Sequence, residues 1–150
     1  MSTIQRAVIT GANRGMGLEI VNQLCNTKTY QEIYAVCRKT SEDLITLASK
    51  NKQIIVVEGI EVSRPEAPAK LQEIFRTNDA EPIGIDLLVN NAGAYGPPEG
   101  FQSPDSVAST QTLANINRET MMFAFQLNTL APLFITKALL PNLKVAGVRL

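Results

Sequence analysis

The chain has 150 residues, 45% of them hydrophobic, and its 14 basic and 14 acidic side chains cancel. That suits one domain with a real core, and gives no general attraction to nucleic acid or anionic lipid. There is no histidine, which excludes a His-ligated metal site and any Ser-His-Asp or Cys-His machinery.

Met1 to Arg6 run straight into a strand-like segment. No charged region followed by a long apolar run is present, so no signal peptide is expected. The apolar stretches look interrupted well short of the roughly 18 residues of a transmembrane helix. No membrane association and a cytoplasmic location are therefore expected. Ala7-Val8-Ile9 reads as a first buried strand. Gly15 to Asn26 has helical spacing, with Met16, Ile20, Val21 and Leu24 as its apolar positions. Ile33 to Cys37 is a second strand. Ser41 is a candidate N-cap for a helix with Leu44, Ile45, Leu47 and Ala48 on its buried side. Cys25 and Cys37 fit neither a CxxC nor a paired metal motif and read as reduced, mostly buried thiols.

Gln53 to Val57 is a third strand. A helix is predicted to start at Ser63, with Pro65 in its first turn and Leu71, Ile74 and Phe75 buried. Ile85 to Val89 is a fourth strand. The β-α-β-α-β-α-β alternation predicts an α/β fold, a parallel sheet with helices on both faces and right-handed crossovers. Ala94 to Asn115, rich in Gly, Pro and small polar residues, reads as a long surface loop. Helical patterning returns from Arg118 to Ala146, with kinks or a break expected at Pro132 and Pro141.

Between the first strand and the first helix stands Thr10-Gly11-Ala12-Asn13-Arg14-Gly15-Met16-Gly17. Glycine lets the backbone take positive φ and lets a ligand approach the main chain. The free N–H groups at the start of the helix suit a pyrophosphate. The G-x-G-x-x-G and Walker A patterns are both absent, and a tight turn without a ligand is the alternative. Asn90-Asn91-Ala92-Gly93 closes the fourth strand, where open parallel sheets bind ligands. Its amides can bind neighbouring backbone, and its small residues leave room for a ribose; a purely structural turn is the alternative.

Together these motifs resemble the short-chain dehydrogenase/reductase family, across essentially the whole chain and in order. The run from Gly11 to Gly17 is particularly similar to carbonyl-reductase and C-factor-like members. The resemblance implies a Rossmann-type doubly wound parallel sheet, here ending after the fourth strand and the following helix. It implies one NAD(P)-binding domain over residues 1–150, incomplete at its C-terminus. It implies cofactor contacts from Thr10, Gly11, Asn13, Arg14, Gly15, Met16 and Gly17, and from Asn90, Ala92 and Gly93. Glu61-Val62 stands where the family has Asp-Val near the adenine; a solvated strand-end acid is the alternative. Gln126-Leu127-Asn128-Thr129 resembles the segment that carries the Asn of the catalytic tetrad, so Asn128 would hold a water in the proton relay. Leu133 to Leu143 resembles the long helix that follows.

The resemblance also implies a catalytic Ser and a Tyr with a Lys four residues later, the Tyr supplying the proton and the Lys lowering its pKa. Tyr30, Tyr34 and Tyr95 are followed at that spacing by Tyr34, Arg38 and Glu99. Val148-Arg149-Leu150 looks like the start of a fifth strand, with the catalytic residues expected beyond it.

The expected cofactor is NADP(H). An NAD-preferring site places an acid about 20 residues beyond the glycines, whereas Arg38 and Lys39 stand there. A guanidinium can hold a 2′-phosphate, with Arg14 closing on it from the other side. Solvated charges are the alternative for these cations. The expected function is an NADP(H)-dependent oxidoreductase acting on a small carbonyl substrate if the site is completed. The alternatives are a non-catalytic dinucleotide-binding module, and a truncated product left unstable by an unpaired fourth strand. Homo-oligomerisation is left open.

Overall fold

The structure is a computed structural model and describes residues 4–94 and 112–147. Four strands, β1 (Arg6–Thr10), β2 (Glu32–Val36), β3 (Ile54–Val57) and β4 (Leu87–Val89), form one sheet in the order β3-β2-β1-β4. All pairings are parallel; Val8 stands opposite Tyr34 on one side and Leu88 on the other. Helices α1 (Gly15–Thr27), α2 (Glu42–Lys50) and α3 (Ala67–Ile74) link successive strands. Beyond β4 come α4 (Arg118–Phe125), a π-helical turn (Gln126–Leu130) and α5 (Ala131–Val145). This is the α/β sheet that the alternation of elements predicts.

Successive strand side chains point to opposite faces, so β1 feeds two cores. Ala7 and Ile9 join Ile33, Ala35, Val21, Cys25 and Leu44 beneath α1 and α2. Val8 joins Val36, Leu71, Phe75, Ile135 and Leu139 beneath α3 and α5. Each fully buried Ile or Leu there contributes roughly 1.5–3 kcal/mol. Among the described residues, Thr10 and Asn142 are the buried polar side chains, and Asn142 lies against the second core. Its Nδ2 donates to the carbonyls of Phe75 and Ile83 at 2.6 and 2.8 Å, fastening α5 to the chain between α3 and β4.

Several boundaries differ from the sequence reading. Ile45 and Ile74, assigned to the apolar stripes of their helices, are 57% and 37% exposed. Val21, Cys25 and Gly17 carry the buried side of α1, because the helix turns its i, i+4 row towards the sheet. The third helix starts at Ala67, not Ser63; Pro65 lies in the turn before it and Pro68 in its first turn. β4 is Leu87–Val89; just before it the Asp86 N–H donates to the Arg6 carbonyl of β1, while the Ile85 N–H donates to the Asn142 carbonyl of α5. Neither Pro132 nor Pro141 breaks the helix. Pro132 sits in the first turn of α5 directly after the π turn, and Pro141 lies inside α5. The π register absorbs Pro132: the Ala131 N–H reaches back five residues, to Gln126. Most of the loop expected at Ala94–Asn115 falls on residues 95–111, outside the described residues, as do Tyr95 and the strand start expected at Val148.

The helical run Arg118–Val145 is continuous across the interruptions noted in its sequence. At 28 residues it is long and apolar enough, by length and composition, to cross a membrane. One side packs on the sheet through Leu127, Ala131, Ile135, Leu139 and Leu143. Met121, Met122, Phe125, Leu133 and Phe134 are exposed on it.

Candidate functional site

The carboxyl ends of the strands gather the residues that the motifs single out. The loop after β1 is held from both sides. The Ala12 N–H donates to the Val36 carbonyl of β2 at 3.1 Å. Towards β4, the buried Thr10 hydroxyl donates to the Val89 carbonyl and accepts from the Asn91 and Ala92 N–H groups, both at 3.1 Å. The Asn91 side chain returns the contact, donating to the carbonyls of Thr10 and Gly11 at 3.1 and 3.2 Å. The general expectation that the Asn-Asn-Ala-Gly amides bind nearby backbone is met by Asn91, a residue outside the expected cofactor contacts. Thr10 acts by shaping the loop, since its hydroxyl is used internally.

The glycines serve different ends. Gly11 has φ +67° and lies so close to Ala92 that a Cβ would stand 2.8 Å from its Cα. Gly15 has φ +55° and nothing within 4 Å of where a Cβ would be. Its outer face is therefore free for a ligand. Gly17 lies within α1, yet a Cβ there would strike the Gly11 carbonyl and stand 2.5 Å from Asn91 Nδ2.

The start of α1 is chemically bare. Its N-cap, Arg14, is extended and makes no side-chain cap, and no acid lies in the first turn. The orphan N–H groups and the positive end of the helix dipole thus face outward beside Gly15, an arrangement that suits an anion. The Asn13 side chain makes no hydrogen bond among the described residues, but its carbonyl accepts the Ser41 hydroxyl at 2.5 Å. Ser41 also caps α2 through the Leu44 N–H, as expected. Its second task, anchoring the glycine loop, has no signature in sequence because the contact spans 28 positions.

Beside this loop, Arg38 follows β2 and donates from Nη1 to Glu61 Oε2 at 3.0 Å. Arg14 and Lys39 are exposed and form no ion pair among the described residues. Val62, expected at the adenine, is buried in the core under α3, so it can offer a ligand only its backbone. Met16 is exposed at the head of α1.

A second cluster lies after β4. Asn128 Nδ2 donates to the Ala94 carbonyl at 2.7 Å, and the Ala94 N–H donates back to Asn128 Oδ1 at 3.0 Å. Gly93 passes so close that a Cβ would meet Oδ1 at 3.0 Å. The amide of Asn128 is thus tied to the backbone. Four residues on, Pro132 has no N–H, so the Asn128 carbonyl lacks its usual helical donor. Asn90 is exposed and donates to the Thr136 hydroxyl at 3.1 Å. Gln126 donates to the Ser63 carbonyl at 2.6 Å, linking the π turn to the Glu61–Ser63 segment. Among the described residues, no three His, Cys, Asp or Glu side chains are placed to hold a metal.

Residues 5–148 match the family model described as short chain dehydrogenase. The short-chain dehydrogenase RED3 of Pyricularia oryzae is 30% identical over 154 residues, covering 97% of this chain and 54% of that protein. Among solved structures, a carbonyl reductase from Pseudomonas aeruginosa in complex with NADP superposes with a TM-score of 0.72 at 26% identity, covering 93% of this chain and 56% of that one. L-sorbose reductase from Gluconobacter frateurii, complexed with NADPH and L-sorbose, gives 0.70 at 27%, covering 97% and 49%. The likeness to carbonyl reductases that the glycine run carries agrees with the first of these structures. The chain spans about half or less of the length of the curated relatives it matches. The order of its motifs, the parallel sheet that carries them and a family match over nearly every residue agree, and the chain belongs to the short-chain dehydrogenase family.

Proposed function

We propose that the chain binds NADP(H) and forms the cofactor-holding part of an oxidoreductase that interconverts carbonyls and alcohols. One observation carries this reading: the uncapped start of α1 behind an open Gly15 and an arginine just after β2 both lie at the carboxyl end of the two central strands. The relatives solved with NADP and NADPH support it. In this reading the pyrophosphate lies against the first N–H groups of α1 and the backbone from Gly11 to Gly17. Arg38 and Arg14 take the ribose 2′-phosphate. Glu61 and the Val62 backbone stand on the adenine side, and Asn90, Ala92 and Gly93 flank the second ribose.

When bound, the nicotinamide supplies the hydride that reduces a carbonyl. The chain's own residues bind and orient it. A proton donor for the developing alkoxide is also required, and Tyr34 does not serve. Its hydroxyl donates to Glu32 and its ring packs edge-on against Phe75, 4.7 Å between centroids. Asn128 contributes through its backbone: with its amide bound to Ala94, the carbonyl facing Pro132 is the group left to hold a water.

The test compares NADPH and NADH affinities for the wild type, Arg38→Asp and Arg14→Ala. A partly exposed Arg–phosphate contact contributes about 1–3 kcal/mol, so its loss weakens NADPH about ten- to a hundredfold. Arg38→Asp is expected to lose NADPH selectively. Equal losses for both cofactors, or a wild type that prefers NADH, would refute the assignment.

A further inference from the structure

Arg38 already has an anion. Its Nη1 donates to Glu61 Oε2 at 3.0 Å, and the other carboxylate oxygen accepts the Ser63 hydroxyl, also at 3.0 Å. The Arg38 side chain is 61% exposed and that of Glu61 28%, so the carboxylate is the more firmly seated partner. The contact uses one of the guanidinium's five N–H donors, a single prong and not the two-pronged fork that Arg forms with carboxylates and phosphates at its strongest.

We propose that Glu61 is a specificity-determining residue: its carboxylate stands in for the 2′-phosphate on Arg38, and the two anions compete for one guanidinium. The inference rests on the NADP(H) reading above. A 2′-phosphate bound by Arg38 is brought close to Glu61, because both are ligands of the same group. The phosphate is mostly dianionic at neutral pH, and like charges at this spacing repel. Ser63 holds the carboxylate where it is, so relief requires that hydrogen bond to break as well. NADH presents only a neutral hydroxyl at this position and meets no such opposition. Glu61 is therefore a repulsive element set against one of two close ligands, one of the two ways in which a site adjusts selectivity. It holds NADPH preference below the level that Arg38 alone would give.

The experiment is isothermal titration of NADPH and of NADH into the wild type, Glu61→Gln and Ser63→Ala. Glu61→Gln keeps the side chain's size and an oxygen that can accept from Arg38 while removing the charge. The NADPH-to-NADH affinity ratio should rise about fivefold, the scale of an exposed ion pair, because any contact of Glu61 with the adenine is common to both cofactors and cancels in the ratio. The gain should shrink as salt is raised. Ser63→Ala, which frees Glu61 to turn away, should move NADPH in the same direction by less. An NADPH-to-NADH affinity ratio that is unchanged or lowered in Glu61→Gln overturns the inference, while a wild type that binds NADPH leaves the cofactor reading standing. A wild type that binds neither cofactor, or prefers NADH, overturns the cofactor reading and this inference with it.

Discussion

Replacing Gly17 with Ala separates two kinds of glycine in the same loop. In an ordinary helix the change is favourable by about 0.5–1 kcal/mol. Here the new Cβ would press on the Gly11 carbonyl oxygen, with Asn91 Nδ2 at 2.5 Å and the Gly11 carbonyl carbon at 2.9 Å. Two of these three atoms are backbone, so the strain cannot be relieved by a side chain swinging aside. Asn91 must move, and with it go the hydrogen bonds to the Thr10 and Gly11 carbonyls. Overpacking costs about 1–3 kcal/mol, and two hydrogen bonds add about 0.5–1.5 kcal/mol each. Set against the helix gain, the expected net loss is about 1–5 kcal/mol, a large share of a stability of about 5–15 kcal/mol. Gly15→Ala is the control. Its Cβ meets nothing within 4 Å, so only the left-handed backbone is strained, at about 1–2 kcal/mol. Urea unfolding followed by circular dichroism gives both values, and NADPH titration shows whether binding falls with stability. Gly17→Ala within about 0.5 kcal/mol of wild type, the range of an ordinary surface change, would mean that the contact between α1 and the β4 turn has been misjudged.

Two further outcomes are expected. Asn142→Leu should destabilise the chain by about 2–4 kcal/mol, because it leaves the Ile83 carbonyl without its buried donor and strips one from Phe75; a urea midpoint equal to wild type would show that water replaces the amide. Burial pushes the thiols of Cys25 and Cys37 up. Their folded pKa values thus exceed the unfolded value of about 8.5. The stability they contribute is complete below that pH and is lost as pH rises through the raised values. Urea midpoints measured from pH 7 to 10 should fall less steeply for Cys25→Ala/Cys37→Ala than for wild type, and parallel curves would contradict the assignment.

Much of this fold was legible because its signals are local. The apolar runs at Ala7–Ile9 and Ile33–Cys37 become strands, and Ser41 caps α2. The errors fall where a distant partner decides. Ile45 and Ile74 satisfy a helical period but are exposed, since the sheet contacts a narrower stripe than the apolar residues offer. Ile85 reads as strand, yet α5 takes its N–H. The π turn was read only as a kink, because Pro132 states that a hydrogen bond is missing and not how the helix will compensate. At the site, the motif positions were visible, but the partners were not. Nothing in the order of residues pairs Arg38 with Glu61, Ser41 with Asn13, or Asn128 with Ala94.

The Thr10 hydroxyl has a consequence for how the chain is assembled. Its partners at Val89, Asn91 and Ala92 lie 79 to 82 positions away. The glycine loop is thus shaped by a segment synthesised long after it, and closing so wide a span must precede the contacts that reward it. A nascent chain that has not yet reached Asn91 holds the whole glycine sequence without the clamp that sets its form. Ligand affinity at this loop would then register that β1 and β4 have docked. Any compound that binds the finished loop and not the open one pulls the chain towards the docked state by mass action.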